Sequence, residues 1–114
     1  MTLSTFPESL EGLKVYFIGA KGTGMAALAE ILASRGARLA GSDVPDSFYT
    51  DAVLAAIGLE PYQSFDASHI AEDIDIVLYS DAYNVSNNPE MARSASLGLP
   101  MFSFAQALGA LSRL

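Results

Sequence analysis

Cysteine is absent from the 114 residues, which removes disulfides, thiolate metal sites and thiol nucleophiles together and fits a reducing compartment. Basic residues are scarce. Six Lys and Arg against 13 Asp and Glu give a formal charge of −7, and every cation stands alone in the sequence. Nucleic acid and anionic membrane surfaces are bound by clustered cations, so both are disfavoured as partners. No charged segment leads into an apolar signal stretch, and no apolar run approaches the roughly 20 residues of a membrane span. A soluble, cytoplasmic protein is expected. His69 is the single histidine, without H-x-x-x-H spacing, so no metal site is expected and His69 reads as an exposed or helix-capping residue. There is neither a G-x-S-x-G elbow nor a G-x-x-x-x-G-K-[ST] loop, so no catalytic centre and no ATP site are expected here. The length suits one domain with a single core and is short for a complete two-substrate enzyme.

The most informative feature present is Val15 to Met25, where an apolar run opens into Gly19, Gly22 and Gly24. It reads as a strand feeding a turn into a helix, with first-turn N–H groups available to an anion. Glycine suits such a turn because a Cβ blocks positive φ or close approach of a diphosphate. The spacing is G-x-x-G-x-G, not the G-x-G-x-x-G of the dinucleotide fingerprint, and it does not cleanly supply the third glycine that packs helix on strand. A phosphate-bearing ligand and a glycine-rich turn without a ligand are both compatible with it. Lys21, inside the loop, either meets a phosphate or is solvated.

Short β-rich segments alternate with helical ones along the chain, the pattern of a parallel sheet covered on both faces. Strands are expected at Lys14 to Ile18, Arg38 to Gly41, Glu60 to Tyr62, Ile74 to Ser80 and Leu99 to Phe102. Helices are expected at Met25 to Arg35, from Thr50 as N-cap to Gly58, at Pro89 to Leu97 after an Asn88 cap, and at Phe104 to Leu114 after a Ser103 cap. Ala67 to Glu72 forms at most a short helix. In the last helix Leu108, Leu111 and Leu114 recur at helical spacing, as an exposed apolar stripe or as core. The fold class is therefore α/β, a Rossmann-like doubly wound parallel sheet of about five strands with helices on both faces.

Ligands of such sheets bind beyond the carboxyl ends of the strands. Ser42 and Asp43 end the second strand, and Asp43 stands about 20 residues past the glycine loop, where an acidic residue reaches a ribose in dinucleotide folds. It equally suits a chain turn before Pro45. Ser80, Asp81 and Asn84 follow the long apolar strand as crevice or ordinary loop residues. Glu72, Asp73 and Asp75 read as solvated loop charge.

In order and spacing, Phe17 to Met25, Gly41-Ser42-Asp43, Ser80-Asp81-Ala82 and Asn88-Pro89-Glu90 resemble the N-terminal domain of the Mur ligases of peptidoglycan synthesis, over roughly Lys14 to Leu111. The likeness is to the branch that adds L-alanine to UDP-N-acetylmuramate. Asp66-Ala67-Ser68-His69 is similar to a stretch of the related muramoyl-tripeptide recycling branch. The resemblance implies that residues 1–114 are a single UDP-substrate-binding domain of an ATP-dependent ligase, inactive alone. It also implies that the central ATPase domain, with ATP and Mg2+, and the C-terminal amino-acid domain lie outside this chain. No cofactor is then bound by this domain. Residue by residue, Gly22, Thr23, Gly24 and Met25 would cradle the diphosphate, with Gly19 and Lys21 in the same UDP site, Ser42 and Asp43 would meet the uridine, and Ser80, Asp81 and Ala82 would line the far wall. Three departures from the family pattern stand out: Lys21 for a glycine, Gln63-Ser64 for Gly-His, and Ser80-Asp81 for paired serines. An NAD(P)-binding oxidoreductase domain and a stand-alone nucleotide-sensing domain are the alternatives.

Overall fold

A computed structural model describes residues 5–113. Leu114, the last member of the C-terminal leucine series, lies outside the described residues. The elements run β1 (Lys14–Ile18), α1 (Thr23–Ser34), β2 (Arg38–Ser42), α2 (Thr50–Ala56), a 3-10 turn (Ala67–His69), β3 (Ile76–Tyr79), α3 (Pro89–Ser96), β4 (Met101–Ser103) and α4 (Phe104–Leu111). All strand pairs are parallel, in the order β2-β1-β3-β4. After β1 the chain moves to one side for β2 and to the other for β3. The crevice between the ends of β1 and β3 is therefore the point where ligands bind in folds of this kind.

Alternation along β1 divides the core. Val15 and Phe17 face α1, α2 and α4 together with Ile76 and Leu78, in a cluster that takes in Met25, Leu28, Leu32, Leu54 and Leu111. Tyr16 and Ile18 face the other way with Val77, against Ile70 and Met91 of α3. Helices therefore cover both faces, as expected. Leu111 is buried in the first cluster while Leu108 stays exposed, so the last helix divides its leucines between core and surface.

The sheet has four strands, not five. Pro61 offers no N–H to a ladder, so the Glu60 to Tyr62 segment touches β2 through a single bridge, with Tyr62 N donating to Gly41 O and Asp43 N to Tyr62 O, each at 2.9 Å. Thr50 is not a cap. It begins α2 behind Tyr49, and its buried hydroxyl donates to Lys21 O at 2.6 Å, an acceptor that the glycine loop offers and the sequence pattern conceals. Asp75 is not solvated loop charge either, since its carboxylate accepts Lys14 N at 2.9 Å and fixes the start of β1. Asp73 pairs with the Lys14 ammonium, which holds its carboxyl below the usual range. The Asn88 and Ser103 caps form as expected, Asn88 accepting Glu90 N and Met91 N, and Ser103 forming a capping box with Gln106.

Two glycines are demanded by packing. A Cβ on Gly41 would come within 2.7 Å of Phe17 O, and one on Gly24 within 2.7 Å of Phe104 Cζ, at the foot of α4. Gly24 thus performs the close-packing role that the glycine spacing does not announce.

Tyr16 is 2% exposed, and its Oη lies beside Ser42 and Glu90 without a hydrogen bond. Burial, with Glu90 charge nearby, pushes its phenol far above the ordinary value of 10.0. A raised folded value means that stability is intact below pH 10 and is lost above it, where the unfolded chain releases a proton that the folded chain retains. Tyr16→Phe should be near neutral in stability at pH 7, because no bond is broken. Urea denaturation between pH 9 and 11 should show wild type losing up to about 1.4 kcal/mol per pH unit more than the variant.

Candidate functional site

The loop that follows β1 is tied down amide by amide. Gly19 N and Ala20 N both donate to Ser42 O, at 2.9 and 3.0 Å, and Lys21 N donates to Asp43 Oδ2 at 2.7 Å. Gly22 N reaches Gly19 O at 3.3 Å, and Gly22 caps α1 with φ −60 and ψ 145. Ala26 N is the first to bond inward, to Gly22 O at 2.8 Å. Among the described residues the intervening amides of Thr23, Gly24 and Met25 have no protein acceptor. They point out of the positive end of a 12-residue helix.

Gly19 adopts φ +91, a left-handed conformation that glycine tolerates, and a Cβ there would lie 3.0 Å from both Ser80 Cβ and Tyr83 Cε2. The ends of β1 and β3 are therefore in contact, and they open into a cleft of about 220 Å³ lined by Gly19, Lys21, Gly22, Asp43, Ser80 and Tyr83. Five of these six are residues singled out in the sequence. Thr23 is exposed at the same helix end, its hydroxyl 2.6 Å from Tyr49 Oη, while Met25 is buried and offers only its main chain. Asp81 and Ala82 are exposed on the turn after β3 and do not line the cleft. Asn84 is occupied with its own loop, accepting Ser86 N and Asn87 N.

Ser42 and Asp43 are placed beneath the loop. Ser42 is fully buried and its hydroxyl donates to Glu90 Oε1, so its side chain belongs to the interior. Asp43 is 6% exposed and spends one oxygen on Lys21 N and the other on Val44 N, at 2.7 Å each. Residues of the cleft not found by sequence reasoning are Val44, Phe48 and Tyr83. Tyr83 follows the Ser80 triplet directly, and its phenol is pushed above the ordinary tyrosine value by burial and by Asp43. An aromatic in an otherwise small and polar turn was the available signal.

A sequence profile of the Mur ligase family, described as its catalytic domain, matches residues 14–114. The chain belongs to the Mur ligase family. It is 44% identical over 112 residues to the UDP-N-acetylmuramate--L-alanine ligase of Treponema pallidum, covering 98% of this chain and 23% of that protein. Against the enzyme of the same name from Desulfitobacterium hafniense it is 46% identical over 100 residues, 87% of this chain and 22% of the other. The chain thus spans about a quarter of the length of these relatives. Among solved structures, the UDP-N-acetylmuramate:L-alanyl-gamma-D-glutamyl-meso-diaminopimelate ligase from Neisseria meningitides superposes with a TM-score of 0.76 at 28% identity, over 85% of this chain and 30% of that one. A murein peptide ligase from Psychrobacter arcticus, at 22% identity and a TM-score of 0.78 over 86% of this chain and 20% of that one, shares the fold.

Lys21 and Gln63, both singled out in the sequence, meet each other. The Lys21 side chain is 3% exposed, and its Nζ donates to Asp46 O at 2.7 Å and to Gln63 Oε1 at 3.0 Å, with Asp51 at 3.6 Å and the Phe48 ring centroid at 5.8 Å. It is not solvated, although the residue lines the cleft. Lys21 instead braces the loop against the segments on either side of α2. Lys21→Met should therefore lower stability by about 1 kcal/mol in urea denaturation, by removing the bonds to Asp46 O and Gln63 Oε1. Affinity of the cleft for a nucleoside diphosphate should change less than about twofold; a large affinity loss at unchanged stability would make Lys21 a phosphate contact.

Proposed function

We propose that this chain is the UDP-substrate-binding domain of a ligase that joins L-alanine to UDP-N-acetylmuramate. The row of unpaired amides at Thr23, Gly24 and Met25 carries the reading. Three consecutive donors at a helix N-terminus, beside a cleft at the switch point of a parallel sheet, suit the oxygens of a diphosphate. The relatives' names supply the substrate class, and their greater length has room for the ATPase domain with ATP and Mg2+ and for the amino-acid domain. On this reading those domains are the chain's partners, and the 114 residues alone bind without turning over. Asp43 and Ser42 act on the uridine side by shaping the main chain, with Ser80 and Tyr83 as the opposite wall. Asp81 and Ala82 border that wall from the turn after β3.

The reading places the protein in the cytoplasm. Among the described residues no helix is long and apolar enough to cross a membrane. An NAD(P)-binding oxidoreductase is not favoured, since the family match and both high-identity relatives point to ligases.

Gly22 gives the cleanest test. A Cβ there meets nothing closer than Gly19 O at 3.6 Å, and its φ and ψ suit any residue. Gly22→Asp places a carboxylate on the first-turn amides, as a good N-cap does, so stability should hold or rise by about 0.5 to 1 kcal/mol. The same carboxylate occupies and repels the diphosphate site. Calorimetric titration with UDP-N-acetylmuramate or UDP should give binding to wild type and none to Gly22→Asp, with no thermal shift from NAD or NADP. A folded wild-type chain that gives no heat with either UDP ligand overturns the reading.

A further inference from the structure

Glu90 sits at the second position of α3, and its side chain is 0% exposed. Oε1 accepts the Ser42 hydroxyl; Oε2 accepts Asp66 N at 3.1 Å and lies 2.7 Å from His69 Nδ1. With Glu90 ionised, its oxygens only accept, so Nδ1 carries the proton of that contact. Beyond the intrahelical position of α3, these three partners come from the end of β2 and from the connection between α2 and β3. A buried carboxylate that gathers two separate segments is costly to place and does nothing for the hydrophobic core. Its placement is informative only in terms of what it holds.

What it holds is the end of β2, from two sides. From inside, it fixes Ser42 by the hydroxyl. From outside, it fixes His69, whose ring stacks on Tyr62 with centroids 3.8 Å apart and planes 5° from parallel. Tyr62 in turn donates to Gly41 O and accepts from Asp43 N. Both arms converge on Gly41 to Asp43, where the Ser42 carbonyl and the Asp43 carboxylate receive the amides of Gly19, Ala20 and Lys21. The loop that carries the free amides of α1 is therefore registered against a strand end that Glu90 locks.

We propose that Glu90 is a positioning residue for the diphosphate cradle, acting through Ser42 and through the His69–Tyr62 stack, and never touching the ligand. The proposal rests on the UDP-binding reading for its functional consequence, and on the hydrogen-bond chain alone for its structural one. Glu90→Gln keeps the volume and one acceptor oxygen for Ser42, but an NH2 donor then stands where Oε2 accepted Asp66 N and His69 Nδ1. Ser42→Ala keeps the carbonyl that receives Gly19 N and Ala20 N and removes only the link to Glu90.

The test uses this chain in both variants and in the double variant, well below their unfolding temperatures. Without ligand, amide hydrogen exchange at Gly19 and Ala20 should quicken about tenfold in Glu90→Gln and comparably in Ser42→Ala, while amides in the middle of α1 keep their rates. With UDP, Kd should rise about tenfold in each single variant and by little more in the double, the non-additivity of residues that act in series. Unchanged exchange at Gly19 and Ala20 in a folded variant overturns the positioning role. Should Glu90→Gln not fold, Ser42→Ala alone decides, because unchanged exchange there removes the inner arm. Changed exchange with no UDP binding by wild type would instead sink the UDP reading and leave the lock intact. Additive losses in Kd, or a lower Tm with exchange and Kd unmoved, would reduce Glu90 to a stability residue.

Discussion

Three consecutive loop amides, of Gly19, Ala20 and Lys21, are consumed by two consecutive residues at the end of β2, the carbonyl of Ser42 and the carboxylate of Asp43. Everything at the site depends on that stitch. It draws the loop down onto the neighbouring strand, sets Gly19 into a left-handed turn against Ser80 and Tyr83, and starts α1 from Gly22, a residue of the cleft, with the next amides free of protein acceptors. Unmaking it would return those donors to water in no particular order, and an anion would have to organise them at its own cost in affinity. Orientation before binding is what the fold contributes.

How a chain of net charge −7 would hold the proposed diphosphate is a question of range. Side-chain charges more than about 10 Å away are screened at 0.1 M salt, whereas N–H dipoles at hydrogen-bond distance are not. The acidic residue closest to the loop, Asp43, is turned into it and shares its oxygens with Lys21 N and Val44 N, so its charge is spread over donors of the protein itself. The one cation in the loop is spent on structure. The Lys21 ammonium bonds to Gln63 Oε1, across from the loop.

Much of this arrangement was legible in the sequence, and the boundary is instructive. The strand-loop-helix unit, the four long-range strands, the Asn88 and Ser103 caps and the cleft residues Gly19, Gly22, Asp43 and Ser80 all announce themselves by local pattern, because apolar period, capping chemistry and glycine freedom act over a few residues. What stayed hidden is tertiary. Gly24 also packs on Phe104, 80 positions on; Thr50 looks like a cap and donates to Lys21 O; the Ser42 hydroxyl bonds to Glu90. Each is a polar or small residue whose partner lies on another element, and local rules assign such residues to solvent or to a ligand by default. The fifth strand failed for the opposite reason, since Pro61 spoils a ladder that the composition around it suggests.

The amides themselves offer the most direct test. In a 15N-labelled chain titrated with UDP, the account expects the largest shift changes at Thr23, Gly24 and Met25, with smaller ones at Gly19, Ser80 and Tyr83. Saturable shifts confined to another surface, with those three amides unmoved, would contradict it.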